Sequence, residues 1–240
     1  MRLTLVRHAT LVLELAGRRV LVDPMLGDAG VYPPIENTPN PVRNPLVPLP
    51  PVALEPLDAI LVTHLHNDHW DAAARERLPK EAPVLTQPES AGAIREAGFG
   101  DVRPVDDELE WEGVRIARTG GRHGHGAVAD ALGPVSGFVL AAPGEPVLYL
   151  AGDTVWCGEV EDALERHSPE VAVVNAGAAR FLDSEPITMD SGDVARVAER
   201  VPRVVAVHLE AINHCLETRA ELRAAVPAAL VPADGETLGF

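Results

Sequence analysis

The segment Thr63-His-Leu-His-Asn-Asp-His-Trp-Asp71 holds three of the chain's nine histidines and two aspartates. It directly follows the apolar run Ala59-Ile60-Leu61-Val62. On extended chain, His64 and His66 point to the same side, a spacing that one metal ion can bridge. Asp68 and His69 come after the chain has begun to turn toward a helix, so they serve a neighbouring position. One short segment therefore offers ligands to two ions. Nitrogen and oxygen donors without thiolate suit zinc, manganese or iron. Two such ions roughly 3.5–4 Å apart can activate one bridging water and polarise one substrate oxygen. The water becomes hydroxide near neutral pH because the cations stabilise its charge. Surface histidines at a helix start would explain one of these residues, not their density.

The elements around the segment must hold it. Leu3–Val6, Thr10–Leu15 and Val20–Val22 read as strands, with Ala16-Gly17 turning the second into the third. A proline-rich stretch, 32–51, follows. So many prolines remove amide donors and forbid helix or central strand, and a long loop of this kind fits a stiff wall or lid over a site. Strands and helices then alternate. Ala59–Val62, Val84–Thr86, Val114–Arg118, Gly137–Ala141, Val147–Leu150, Val171–Val174 and Val204–Val207 are expected strands. Asp71–Leu78, Glu89–Ala97, Glu159–His167, Asp193–Arg200 (capped near Ser191) and Thr218–Ala225 are expected helices. Four apolar strands run into His64, Asp153, Asn175 and His208, and sites in layered α/β proteins gather at strand ends.

The totals exclude several classes. The chain has 240 residues, 46% of them hydrophobic, enough for a real core. Its formal charge of −16 repels nucleic acid and anionic membrane at long range. Cys157 and Cys215 form no Cys-x-x-Cys pair and read as reduced thiols, which points to the cytoplasm. No apolar run approaches the length needed to span a bilayer.

THLHNDHWD resembles the His-x-His-x-Asp-His signature of the metallo-β-lactamase fold superfamily. GRHGHG around His123, LYLAGDT around Asp153 and VVAVHLE around His208 match in the expected order. The start, RHATLVLELAGRRVLVDPML, is also similar to the N-terminal hairpin of the branch containing ascorbate-phosphate lactonase and N-acyl phosphatidylethanolamine phospholipase D. The resemblance implies an α/β, four-layer αββα sandwich, with all 240 residues in a single domain. It implies a first metal held by His64, His66 and His123, and a second held by Asp68, His69 and His208, with Asp153 bridging them. Asp68, Asp153 and His208 then belong to the reaction itself, with Asp68 orienting the hydroxide or moving a proton. GRHGHG offers both His123 and His125. The GPVSGFVL segment that follows favours His123, leaving His125 to line the pocket or face solvent. Asp23, ending a strand in LVDP, resembles a position that supports the metal ligands. His8, Asn175 and His214 are further candidates for ligand support or substrate contact.

The expected protein is thus a hydrolase with two divalent ions, zinc or manganese before iron. Its expected substrate is an ester, lactone or phosphodiester of a small, anionic metabolite. No nucleic-acid or membrane partner is expected, and a homo-oligomer is compatible. The alternatives are an iron-dependent sulfur dioxygenase on the same fold, or a binding protein without catalysis.

Overall fold

Ala16 and Gly17 both take positive φ, 51° and 73°, the backbone of a two-residue hairpin turn. In the computed structural model, which describes residues 1–240, this turn joins β2 (Thr10–Leu15) to β3 (Arg18–Val22), and β1 (Arg2–Arg7) pairs antiparallel with β2. The strands β4 (Ala59–Val62), β5 (Val84–Thr86) and β6 (Val102–Pro104) then add in parallel beyond β3. With β13 (Thr237–Gly239) on the other edge they make a seven-stranded sheet, ordered β13-β1-β2-β3-β4-β5-β6.

The second sheet starts antiparallel, through β7 (Glu108–Trp111), β8 (Val114–Thr119), β9 (Gly137–Ala141) and β10 (Leu148–Leu150). It turns parallel through β11 (Val171–Asn175) and β12 (Arg203–Val207). Its order is β12-β11-β10-β9-β8-β7. The strands that feed the site are apolar on both faces, because both faces are covered. In β4, Ala59 and Leu61 face the other sheet while Ile60 and Val62 face the helices. In β11, Val171 and Val173 point inward, and Ala172 and Val174 outward.

Helices cover the outer faces. Packed on the first sheet are α1 (Ala72–Arg77) and α2 (Pro88–Glu96), through Ala74, Ala91 and Ile94. Packed on the second are α4 (Gly158–His167), α5 (Ser191–Ala198) and α6 (Arg219–Ala225), through Val160, Leu164, Val194, Val197 and Leu222. This is the expected αββα order of layers. No helix is long and apolar enough to cross a membrane.

Four elements lie outside the sequence expectations. β6, β7 and β13 are short edge strands, β13 and β6 at the two ends of the first sheet and β7 at one end of the second, with few fully buried residues. α3 (Gly126–Leu132) has no buried residue at all, so no apolar stripe announces it. The N-cap of α5 is Asp190, whose side chain accepts from the Asp193 amide, not Ser191. The proline-rich stretch has no helix or strand, and its one sheet-like feature is an isolated bridge between Tyr32 and Asn44.

Candidate active site

The parallel strands deliver the site. Asp23 follows β3, His64 follows β4, Asp153 follows β10, Asn175 ends β11 and His208 follows β12. His8 sits in the turn between β1 and β2. Three of these residues take left-handed backbone, with φ of +62° at His8, +44° at Asp23 and +67° at His208. Such backbone costs on the order of 1–3 kcal/mol at a non-glycine residue and persists where the surroundings over-determine it. Here the His208 amide donates to the His8 carbonyl at 2.9 Å, and the two imidazoles stack with centroids 3.6 Å apart.

Seven of the nine histidines converge with Asp68 and Asp153. Their donor atoms fall into overlapping groups: His64, His66 and His123; His64, His69 and Asp153; and His8, Asp68, His69 and His208, each within 4.8 Å. Asp153 lies between them. Its Oδ2 is 3.5 Å from His123 Nε2, 3.9 Å from His64 Nε2 and 3.3 Å from His69 Nε2, while its Oδ1 is 3.4 Å from His208 Nε2. Asp68 Oδ2 stands 3.6 Å from His208 Nε2 and 3.9 Å from His69 Nε2.

The far side of each ring is tied off, which fixes which nitrogen faces the cluster. His123 Nδ1 donates to the Ile187 carbonyl at 2.8 Å. His66 Nε2 donates to the Leu132 carbonyl at 3.2 Å, leaving Nδ1 as its inward atom. His69 Nδ1 donates to Asp23 Oδ2 at 2.8 Å. The Thr63 hydroxyl donates to the same oxygen at 2.7 Å and lies 3.0 Å from His64 Nδ1, whose proton it accepts. His208 Nδ1 meets the thiol of Cys215 at 3.5 Å. One buried carboxylate, Asp23, therefore orients both His64 and His69. Asn175 Nδ2 donates to Asp153 Oδ1 at 2.7 Å, and His8 Nε2 lies 3.2 Å from Asp68 Oδ2.

This donor set fits a cation. His69 Nε2 and His208 Nε2 are buried without any hydrogen-bond partner, an arrangement that native interiors avoid. His64 Nε2 and His66 Nδ1 face each other at 3.0 Å after their protons have gone to the opposite nitrogens. Two lone pairs at that distance repel, and a shared cation removes the repulsion.

The protonation pattern follows the charges. Burial alone would lower His69, but Asp153, Asp23 and Asp68 outweigh it and hold the ring up at about 10. Burial opposes ionisation of Asp153, yet His208, His69 and His123 drive it well below the usual carboxylate range. Asp68 is driven down in the same way, against burial, by His69, His208 and His8. Burial pushes His8 down to about 3 and His214 down to about 4. A cation that binds here displaces ring protons.

Above the cluster opens a cavity of about 450 Å³. Its polar lining includes His66, Asp68, His123, Asp153 and His214, and its apolar walls include Met25, Tyr32, Ile35, Leu65, Phe181 and Ile212. His125 is elsewhere: it caps α3, is half exposed, and lies 3.7 Å from Glu185. His214 is buried on the pocket wall, 6.4 Å from the His208 ring centroid, with Nδ1 unpartnered.

Several contributors carried no signal in the sequence. Thr63 joins Asp23 to His64, and the carbonyls of Ile187 and Leu132 orient two rings. Thr154, which reads as a turn residue, accepts from the Arg122 amide at 2.8 Å and so anchors the loop that carries His123. Asp71 had a visible cue, as the last carboxylate of the dense segment. It caps α1 and accepts from the Gly27 amide and the Tyr32 hydroxyl.

The beta-lactamase superfamily domain family matches residues 18–209, a span that holds every residue of the cluster except His8 and His214. The chain belongs to that family. UPF0173 protein YddR of Bacillus subtilis (strain 168) is 37% identical, with 100% of each chain covered. Among solved structures, an isothiocyanate hydrolase from Delia radicum gut bacteria is 40% identical with a TM-score of 0.94, covering 100% of this chain and 99% of that one. A possible metal-dependent hydrolase from Veillonella parvula DSM 2008 is 35% identical with a TM-score of 0.96 over the same shares. The family's fold is the metallo-β-lactamase fold, and the protein is a metal-dependent hydrolase.

Proposed function

We propose that the protein acts as one 240-residue domain that adds water to a small, neutral, largely apolar electrophile at a two-metal centre. Isothiocyanates are its first candidate substrates, with unhindered esters and lactones behind them. The observation that carries this reading is the pocket: a floor of His and Asp donor atoms beneath apolar walls, with no arginine or lysine among the lining residues. The anionic metabolite expected from the sequence would find no cationic side chain there. The whole-length likeness to the isothiocyanate hydrolase supports the choice of substrate class.

His64, His66 and His123 would hold one divalent ion and Asp68, His69 and His208 the other, with Asp153 facing both. Zinc or manganese suits these nitrogen and oxygen donors, and iron is the alternative. When bound, such ions supply Lewis-acid activation of water and of the electrophile. The chain's own residues do the rest. Asn175 fixes the Asp153 carboxylate, and Asp23 fixes two imidazoles. The side chain of Asp68 is 10% exposed on the pocket floor, against 2% for Asp153; held ionised, it is the better-placed carboxylate to take a proton from the attacking water and pass it to the leaving group. The apolar walls exclude bulk water and favour an apolar substituent. For R–N=C=S, the water oxygen bonds to the central carbon and a proton goes to nitrogen. The C–N bond of the resulting thiocarbamic acid then breaks, releasing the amine R–NH₂ and carbonyl sulfide. Cys157 and Cys215 are free, which fits action in a reducing compartment.

The test is elemental analysis of protein purified without chelator, followed by turnover of an isothiocyanate, ester and lactone panel. Close to two zinc or manganese ions per chain with amine release from isothiocyanates is the expected result. One iron per chain would move the reading to oxidation of a thiol substrate. Turnover of phosphodiesters alone would overturn the apolar substrate class.

A further inference from the structure

The proline-rich wall contains no regular structure, yet it lines the pocket with Pro33, Pro34, Ile35 and Asn44. Something other than a sheet must hold it. Arg7, fully buried, donates to the carbonyls of Met25, Gly27 and Val47. Asp71 holds the Tyr32 hydroxyl. These two secure the approach to the wall and its far end. Across its middle the Tyr32 and Asn44 backbones pair and the Asn37 carbonyl accepts from the Leu182 amide, but the side chain that gathers most of its polar groups comes from the loop after β12.

We infer that Asn213 is the positioning residue that fixes the middle of this wall, and that it thereby sets the length of apolar substituent the pocket accepts. The inference rests on the hydrolase reading above. Asn213 Nδ2 contacts the Ile35 carbonyl at 3.0 Å, Thr38 Oγ1 at 2.6 Å and the Asn40 carbonyl at 2.7 Å. Its Oδ1 accepts from the Ile35 amide at 3.0 Å and from Asn44 Nδ2 at 2.7 Å. Its own amide donates to Asn44 Oδ1 at 2.9 Å. The side chain is 1% exposed and has no unused capacity.

Only an amide provides this pattern. An aspartate lacks the donors that meet two carbonyls, and a leucine leaves the Ile35 amide and Asn44 Nδ2 without their acceptor and the Ile35 and Asn40 carbonyls with the Thr38 hydroxyl alone. The neighbours Ile212 and His214 line the same cavity. The place of the wall's middle relative to the donor atoms therefore depends largely on one residue, which itself lines neither the ligand cluster nor the cavity.

The experiment compares wild type, Asn213→Ala and Thr38→Val as full-length, metal-loaded proteins. Thr38→Val removes one partner of Asn213, together with that hydroxyl's own bonds to the Ile35 and Asn40 carbonyls, on a half-exposed loop, so it folds even if the first variant does not. Three quantities are read: amide hydrogen exchange over residues 33–44, KM and kcat for methyl and 2-phenylethyl isothiocyanate, and metal content. Asn213→Ala is expected to speed exchange in 33–44. It should raise KM for the phenylethyl substrate about tenfold, with kcat within about threefold for both substrates. The methyl substrate's KM and the metal content should barely move, and Thr38→Val should give a smaller change of the same kind.

Unchanged exchange would overturn the anchoring role. Faster exchange with equal KM effects on both substrates would overturn the specificity role. A parallel fall in kcat and metal content would reduce Asn213 to general structure. If wild type turns over neither isothiocyanate, the hydrolase reading falls on its own, and the exchange measurement alone decides whether Asn213 holds the wall.

Discussion

The floor and the wall of the pocket are built by opposite means. Floor residues sit at the ends of parallel strands in two sheets whose shared core is almost wholly dry, and nearly every ring is fixed again through its outer nitrogen. The wall has no sheet behind it; a few isolated backbone bonds and individual side-chain bonds from Arg7, Asp71 and Asn213 hold it. The floor cannot shift without disturbing the sandwich. The wall can be re-hung by changing one anchor. The chemistry thus rests on the part of the molecule that resists change, and substrate choice rests on the part that tolerates it.

The sharpest attempt to break that contrast is Asp153→Ala, which removes the carboxylate common to the donor groups. It should cut turnover by about a thousandfold or more and lower metal content while the far-UV spectrum stays native; retained turnover would remove Asp153 from the centre. Next come the two histidines of GRHGHG. His123→Ala should cost about a hundredfold or more in kcat/KM, whereas His125→Ala, on an exposed helix cap, should stay within about twofold. A reversal of that order would mean that the loop is reshaped when metal binds.

Asp23→Asn tests ligand support without touching a donor atom. It should weaken metal affinity by roughly 10–100-fold, read by competition with a chromogenic chelator. An unchanged affinity would show that the rings hold their positions without it. Acid probes the same floor in the metal-free protein. His8 and His214 titrate near 3 and 4 when folded, below the unfolded value of about 6.5. Unfolding therefore takes up protons, so their contribution to stability is present above about pH 6.5 and declines toward pH 4. His69 and His208, held up by the carboxylates, work the other way above about pH 6.5, so the clean window lies below it, where burial also lowers His64 and His123: denaturant midpoints should fall from pH 6 to 5 to 4. Tyr32→Phe, on the wall, should have the smallest effect. Losing the hydroxyl that meets Asp71 should cost about 1 kcal/mol of stability and leave kcat unaltered.

How far the sequence could be read follows the same division. Strand ends that run into His64, Asp153 and His208 are visible because apolar runs and dense ligand residues are both local patterns. Asn175 and Asp23 were visible as polar residues at strand ends, though not their partners. Arg7, Thr63 and Asn213 were invisible, because each works through a partner that only the fold brings near: Arg7 on carbonyls 18 to 40 positions away, Thr63 on Asp23 40 positions away, and Asn213 on residues 169 or more positions away. α3 was missed for a related reason, since a helix that buries nothing leaves no periodicity to find. The pocket's missing cations were likewise unreadable, because arginines are plentiful in the chain and only the fold keeps them out of this cavity.

Asp23 has a further consequence. Its Oδ2 accepts hydrogen bonds from His69 Nδ1 and from the Thr63 hydroxyl, which in turn accepts one from His64 Nδ1. His64 belongs to the donor group with His66 and His123, and His69 to the group with Asp68 and His208. Any occupant that freezes one ring also tightens the shared carboxylate, and so lowers the entropy that the second ring still has to lose. If both groups fill, their occupancies should be linked: a metal titration of the metal-free protein should show cooperativity, and Asp23→Asn should reduce it without abolishing it, because Asp153 still stands beside rings of both groups.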